Sequence, residues 1–280
     1  MNKFEKLGYL DNDFKMFHII DSQRKDYEFH YHDFNKIMIL LRGNINYSIE
    51  GKNYLLKPYD IVLVNAGEIH RPSILDNSVY ERIIIYVSTQ FLDGFTKQEY
   101  DLAYCFEHAK NEHSNVLRIP SVDKGKLYQV CLELEHSFAD NGFAGELYKE
   151  ILFLEFMIQL NRTVISNNIS YLDSANGNGK LLQILNYIND HLVEEITIEQ
   201  LSAHFYLSRF YLMHFFKEET GYTIGNYITK KRLLLAKSLI QSGKTITEVC
   251  YLSGFKNYST FSRAFKKEFN TVPKNAQLID

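Results

Sequence analysis

The chain has no tryptophan, only three cysteines, and no apolar run as long as a membrane span. Cys105, Cys131 and Cys250 are odd in number and far apart. That argues against a disulfide framework or a thiolate zinc site, and it fits a reducing cytoplasm. The apolar stretches are broken by charge well short of the roughly 20 residues a membrane helix needs, so no membrane partner is expected. Met1-Asn2-Lys3-Phe4-Glu5-Lys6 lacks the apolar segment of a secretory leader. Neither Gly-x-Ser-x-Gly nor a phosphate loop occurs, so hydrolase chemistry has no support.

What is present is a globular composition, 45 % apolar and 23 % charged, with 20 Tyr and 20 Phe to build aromatic cores. A length of 280 residues makes one large domain or two ordinary ones. The net charge of −3 conceals an asymmetry. Residues 180–280 hold 13 Lys+Arg against 9 Asp+Glu, a net +4, and the remainder holds 18 against 25, a net −7. A basic C-terminal third beside an acidic remainder suggests two domains with different partners.

Residues 27–90 read as β. Lys36-Ile37-Met38-Ile39-Leu40-Leu41 is a strand ended by Arg42-Gly43-Asn44, and Ile45, Tyr47 and Ile49 alternate with polar residues. Glu50-Gly51-Lys52-Asn53 reads as a hairpin turn, and residues 61–64 and 83–87 are further strands. This spacing means an antiparallel barrel or sandwich. Upstream, Phe14, Met16, Phe17 and Ile19 form either a strand or an arm over an apolar surface. From about residue 91 the period becomes helical. Leu127, Val130, Cys131, Leu134 and Phe138 make one stripe; Leu147, Ile151, Leu154 and Ile158 make a second, widened by Phe153 and Phe156. The second is too apolar for a free surface helix: it covers the barrel, meets another subunit, or does both. Residues 166–179 are small, polar and turn-prone, a linker.

Beyond the linker everything is helical, over 181–191, 198–205, 209–218, 224–241, 246–253 and 259–269. Thr197 with Gln200 and Thr245 with Glu248 form capping boxes, Ser208 and Asn257 cap the helices after them, and Gly221, Gly243 and Gly254 stop helices. Residues 198–217 and 246–266 repeat one plan, a short helix, a tight turn and a second helix ending in Phe-Lys. In the last helix Phe261 and Phe265 share an inward face, while Ser259, Ser262, Arg263, Lys266 and Lys267 make a short basic, hydroxyl-rich face suited to a DNA groove. The intervening helix of about 18–20 residues is roughly 27–30 Å long, close to the roughly 34 Å turn of B-DNA.

This duplicated helix-turn-helix resembles the DNA-binding domain of the AraC/XylS family of bacterial transcription regulators. The likeness is carried by Ile246-x-Glu248-Val249, Gly254-Phe255, Ser259-x-Phe261-Ser262-Arg263-x-Phe265-Lys266-Lys267-x-Phe269 and Pro273, with Tyr227-Ile228, Arg232-Leu233, Ala236 and Leu239 in the connecting helix. Three positions depart from the family pattern: Asn270 replaces Gly, Ala276-Gln277 replaces an aromatic-Arg pair, and Ile224 replaces Pro. The resemblance implies that Arg209, Phe210, Met213 and His214 face DNA from the first recognition helix, with Lys217 towards phosphate. Phe210 and Met213 either touch thymine methyls or pack on the connecting helix. From the second, Asn257, Tyr258, Ser259, Thr260, Ser262 and Arg263 are presented, with Lys266 and Lys267 on the backbone. Leu201, Leu212, Phe215, Val249, Phe255, Phe261 and Phe265 belong in the core.

In the N-terminal half, His30-Tyr31-His32 puts two imidazoles on one face of a strand, and His70 follows the turn at Gly67-Glu68. With Gly43 and the strands between, this resembles the cupin-like sensor barrel of AraC-type regulators. Metal-binding cupins place His-x-His, a Glu and a distant His at one site. Here Asn35-Lys36 stands near the Glu position, and neither is an anionic ligand. Three readings stay open: a pocket for a small effector with His30, His32 and His70 as its hydrogen-bonding wall; a divalent metal on those three histidines; or structural histidines. For the pocket, Tyr47, Arg82 and Tyr86 add polar groups by strand position, Arg82 suiting a carboxylate or a sugar hydroxyl.

The expected fold is α+β: a cupin-like antiparallel barrel with following helices over 1–165, a linker over 166–179, and an all-α double helix-turn-helix over 180–280. The expected protein is a cytoplasmic, effector-responsive, non-enzymatic regulator without cofactor, an activator by what the resemblance implies. Its expected partners are double-stranded promoter DNA, a sugar or other metabolite, a second copy of the chain, and RNA polymerase if it activates. The rivals are a metal-dependent cupin enzyme with a helical tail, and a ligand-independent DNA-binding regulator.

Overall fold

A strand that is apolar on both sides needs cover on both, and Ile37-Met38-Ile39-Leu40 receives it. The computed structural model describes residues 10, 12–22, 25–121, 123, 125–166, 169–174 and 179–277. The reading of residues 1–6 lies outside these, as do residues 167–168 and 175–178 of the expected linker. The chain divides into two compact units, Met1–Asn176 and Gly177–Asp280.

The first unit holds strands β1 (Phe14–Asp21), β2 (Asn35–Arg42), β3 (Ile45–Ile49), β4 (Lys52–Leu55), β5 (Ile61–Val64), β6 (His70–Ile74), β7 (Tyr80–Val87), β8 (Val116–Arg118) and β9 (Ser170–Tyr171). They form a six-stranded sheet in the order β1-β7-β2-β5-β8-β9 and a three-stranded sheet in the order β4-β3-β6, antiparallel throughout. Alternation along each strand sorts the side chains. Met38, Leu40, Val62, Val64 and Ile84 meet Ile45, Tyr47, Ile49 and Tyr54 between the sheets. Ile37, Ile39, Ile61, Leu63, Ile83 and Ile85 point the other way. Helices α1 (Thr89–Gly94), α2 (Tyr104–Asn111), α3 (Lys126–Ser137) and α4 (Gly145–Ile165) cover them.

Local differences from the sequence reading have local causes. Ile49 pairs with Lys52, so the hairpin loop is Glu50-Gly51 alone, both left-handed at φ 45° and 77°, as a two-residue loop requires. The segment at Phe14 is a strand, paired with β7 along its length. Ser170–Tyr171 pairs with β8, so part of the expected linker belongs to the sheet. In α4 the buried side chains are Leu152, Phe153, Phe156, Met157, Leu160 and Val164. Leu147, Ile151 and Ile158 of the second stripe lie exposed on the opposite side, and Leu154 packs partly against the core.

The second unit is helical: α5 (Gly179–Asp190), α6 (Ile198–Phe205), α7 (Arg209–Thr220), α8 (Ile224–Gln241), α9 (Ile246–Leu252), α10 (Tyr258–Phe269) and a 3-10 turn at Asn275–Gln277. Both capping boxes form, and Ser208, Thr223 and Asn257 each accept from a first-turn backbone N–H. Each such cap contributes about 1 kcal/mol. Leu233, Ala236 and Ile240 of α8 pack with Val249, Cys250, Phe255, Phe261 and Phe265. Leu201 and Leu212 are buried as expected, but Phe215 is only half-buried. Its place is taken by Phe216, four residues after Leu212 and on the same face of α7. Asn270 is left-handed at φ 56°, the conformation that lets it replace Gly. No described helix is long and apolar enough to cross a membrane.

Candidate nucleic-acid interface and sensor cluster

The buried face of each second helix decides what the opposite face presents. Leu212, Phe216 and Thr220 turn α7 inward, and Arg209, Phe210, Met213, His214 and Lys217 are all exposed. Phe210 is 77 % and Met213 47 % exposed, so neither packs away on the connecting helix. Arg209 donates to Glu199 of α6 at 2.8 Å in a fully solvated pair, which holds it only weakly. Phe261 and Phe265 do the same for α10, leaving Asn257, Tyr258, Ser259, Thr260, Arg263, Lys266 and Lys267 exposed and Ser262 half-buried. The Asn257 side chain is already used, accepting from Thr260 N at 3.0 Å as the helix cap.

The second unit's turn is built around α8. Arg232 Nε donates to Leu192 O at 2.7 Å and its Nη2 to Glu194 O, satisfying carbonyls of the loop after α5. Gly254 sits against this knot. A Cβ there would lie 2.9 Å from Arg232 Nε, 2.9 Å from Val193 Cα and 3.0 Å from Leu192 O, and its φ is +82°. Lys230 on α8 donates to both Glu268 oxygens, at 3.2 and 3.1 Å, and ties α10 to the connecting helix.

In the first unit a backbone bridge between His30 and His70 sets their rings 4.3 Å apart on one face. His32 lies 5.2 and 5.0 Å from the two rings. Each of His30 and His70 donates its Nδ1–H to a carbonyl two residues back, Glu28 O and Glu68 O, both at 2.9 Å. Carbonyls only accept, so the tautomer is fixed and Nε2 is left as a lone pair. Burial, then the charge of Lys36, lowers the His30 pKa to about 4 and holds that of His70 well below the ordinary range. Tyr47 is buried, its ring stacked over His70, and Tyr86 is half-buried with its ring near His32 and Phe34.

Arg82 departs from the expected role. Its guanidinium donates to Asp21 at 2.7 Å, Tyr80 O at 3.1 Å and Tyr27 Oη at 3.2 Å. Its charge is met from within the barrel, so it is not a vacant partner for a ligand carboxylate. Glu68, two residues before His70, accepts from Asn65 N and Asn115 Nδ2, each at 2.8 Å. A cleft of about 490 Å³ opens elsewhere, lined among others by His108, Glu112, Tyr171 and Asp173 and by none of the six expected effector residues.

The model for the AraC-like ligand binding domain matches residues 16–157, half of the chain, and that for a helix-turn-helix domain matches residues 201–277. The chain belongs to the AraC family. Its curated relatives include the HTH-type transcriptional activator RhaS of Shigella sonnei and that of Escherichia coli K12, each 26 % identical over 257 residues, 89 % of this chain and 87 % of theirs. Among solved structures, ToxT of Vibrio cholerae O395, bound to a naphthalenyl-butenoic acid, aligns over 95 % of this chain and 99 % of its own at 17 % identity and a TM-score of 0.40. The chain is thus an effector-responsive, DNA-binding regulator of the AraC type, with a sensor unit and a double helix-turn-helix.

Metal-binding cupins hold their ion on His-x-His, Glu and a distant His, and the histidines of this barrel can be tested against that set. Three imidazoles converge, with ligand nitrogens of His30, His32 and His70 within 4.8 Å of one another. The fourth group does not fit. Lys36 Nζ donates to Tyr47 Oη at 3.0 Å and lies 3.3 Å from His70 Nε2, on the lone pair a metal would need. Two unit charges 4 Å apart repel by about 4 kcal/mol at an effective dielectric of 20, and a dication doubles that. Lys36 is the group the sequence reading set aside. The signal was in the strand period: Lys36 alternates with Met38 and Leu40, whose burial at about 1.5–3 kcal/mol each keeps that face of β2 inside. Burial, with Arg82 nearby, lowers the Lys36 pKa to about 7.

Proposed function

We propose that this regulator binds promoter DNA as a homodimer, inserts α7 and α10 into successive major grooves, and activates transcription in response to a small metabolite. The observation that carries the reading is the repeat itself. Two helix-turn-helix units share a Thr capping box and a buried aromatic face on the second helix, and each leaves the outer face of that helix to solvent. Arg209, Phe210, Met213, His214 and Lys217 are the contact set of α7. Asn257, Tyr258, Ser259, Thr260, Ser262 and Arg263 are that of α10, with Lys266 and Lys267 on phosphate. The 18 residues of α8 give a spacer of roughly 27 Å, near one DNA turn.

Self-association is supported by the outer face of α4, where Leu147, Ile151, Ile158 and Ile165 are 39–61 % exposed and follow a helical period. Activation is supported by the relatives, which are named as activators; RNA polymerase is then a partner and the cytoplasm the compartment. The effector belongs to the hydroxyl-bearing metabolites, sugars included. Lys36 offers a donor and the His30 Nε2 atom an acceptor, a pair that matches hydroxyl groups; Tyr47, His70, His32 and Tyr86 complete the wall. No catalytic step is assigned to any residue.

The test is a footprint upstream of the chain's own gene and its neighbours, repeated across salt. The expected result is two protected stretches one helical turn apart per subunit, with affinity falling steeply as salt rises. A single protected groove would end the two-helix reading, and salt-independent affinity would end the phosphate assignments.

A further inference from the structure

Two cations lie inside the sensor barrel, and they are balanced differently. Arg82 has Asp21 at 2.7 Å. Lys36 is only 4 % exposed, yet among the described residues no carboxylate pairs with it. Its neighbours are the Tyr47 oxygen at 3.0 Å and His70 Nε2 at 3.3 Å, with the Tyr47 ring 5.7 Å away. A phenol oxygen and an imidazole lone pair are groups that solvate a cation. His30 and His32 bring their nitrogens to the same place. His30 and His70 are also oriented as metal-binding histidines are, with Nδ1–H spent on a carbonyl and Nε2 directed at the centre.

We infer that Lys36 is the resident cation of this three-imidazole centre: its ammonium stands in a divalent metal's place and keeps such metals out, and removing that charge converts the cluster into a transition-metal site. Imidazole donors select Co²⁺, Ni²⁺ or Zn²⁺ rather than Mg²⁺ or Ca²⁺. A bound ion at about 2.1 Å from each nitrogen needs the three rings to close in from their present spacing. The volume vacated by the end of the lysine chain allows it. Lys36 itself cannot swing out, because β2 is paired with β5 on one side and β7 on the other, and a one-residue slip would expose Met38 and Leu40. This inference rests on the barrel alone and is independent of the proposed DNA contacts.

The experiment uses untagged full-length chain at pH 6.5 titrated with Co²⁺, followed by visible absorption of the bound ion and by calorimetry. Wild type is compared with Lys36→Met, which keeps the apolar stem but vacates the position of the ammonium, and with Lys36→Glu, which adds a carboxylate to the three imidazoles. The expected result is no stoichiometric Co²⁺ on wild type and one equivalent on each variant. The variants should bind at least about 100-fold tighter than wild type, Lys36→Glu tightest, since a like charge has been removed. Adding His70→Gln to Lys36→Met should abolish the site. Wild type binding one equivalent as tightly as the variants, with loss in His70→Gln, would overturn the inference. So would folded Lys36→Met and Lys36→Glu proteins that both ignore Co²⁺. Should Lys36→Met fail to fold, Lys36→Glu and wild type decide between the same outcomes.

Discussion

The two helix-turn-helix units are one design with two surfaces. Each opens on a Thr capping box and buries an aromatic of its second helix, Phe216 in one and Phe261 with Phe265 in the other. Their turns and outer faces differ. The first turns at Tyr206, a non-glycine residue held left-handed at φ 54°, and its face carries Phe210 and Met213. The second turns at Gly254 against the Arg232 knot, and its face carries Arg263, Lys266 and Lys267. The buried positions fix the fold in both. The outward ones are free to diverge, so one unit adds the apolar Phe210 and Met213 to its cations Arg209 and Lys217 and the other is mainly polar and charged.

The largest difference lies in the turns. Gly254→Ala combines a left-handed φ with a Cβ under 3 Å from Val193 Cα, a backbone atom that cannot rotate away. The expected loss is about 2–4 kcal/mol of stability, read as a lower denaturation midpoint of the full chain, with DNA binding lost alongside. A Gly254→Ala protein of wild-type stability would mean that the loop at 192–194 yields and that the two turns are equally tolerant.

The faces separate next. Arg263→Ala should cost about 1–3 kcal/mol of specific affinity, and Lys266→Ala should flatten the dependence of log affinity on log salt by about one unit. Phe210→Ala should cost about 1 kcal/mol, the scale of an apolar contact to a thymine methyl, and leave the salt slope unchanged. Binding titrations at four salt concentrations distinguish them. If Phe210→Ala changed the slope, or Lys266→Ala did not, the division into an apolar and a charged unit would fail.

Much of this was legible in sequence because it is local. Caps, helix lengths and the left-handed Asn270 follow from a few neighbouring residues, and α8 begins after its Thr223 cap where the pattern put it. What was missed needed the third dimension. Phe216 rather than Phe215 is buried because its ring meets that of Tyr227 on α8, 5.5 Å between centroids. The sequence left open whether the stripe of Leu147, Ile151 and Ile158 covers the barrel or faces out, and it faces out because α4 has two apolar faces and periodicity does not say which one meets the sheet. Arg82 was read as a ligand group because Asp21, 61 residues away, is unseen until β1 pairs with β7. Lys36 was discounted by residue type, although strand alternation already placed it inside.

The smallest effect is the mirror of the first. Tyr206 is 95 % exposed and left-handed, so its side chain contributes almost no packing while its backbone bears a strain of about 1–2 kcal/mol. Glycine removes that strain but gains freedom in the unfolded chain, which returns roughly 0.5–1 kcal/mol to the unfolded side. Tyr206→Gly is therefore expected to stabilise by about 0.5 kcal/mol, a rise of roughly 2 °C in Tm, where Gly254→Ala in the sister turn destabilises. If Tyr206→Gly gains that stability and keeps its DNA affinity, the residue is only a turn. If it gains stability and loses affinity, an exposed aromatic at a strained position is there for the contact it makes. The apolar face of the first unit would then extend from α7 into the turn itself.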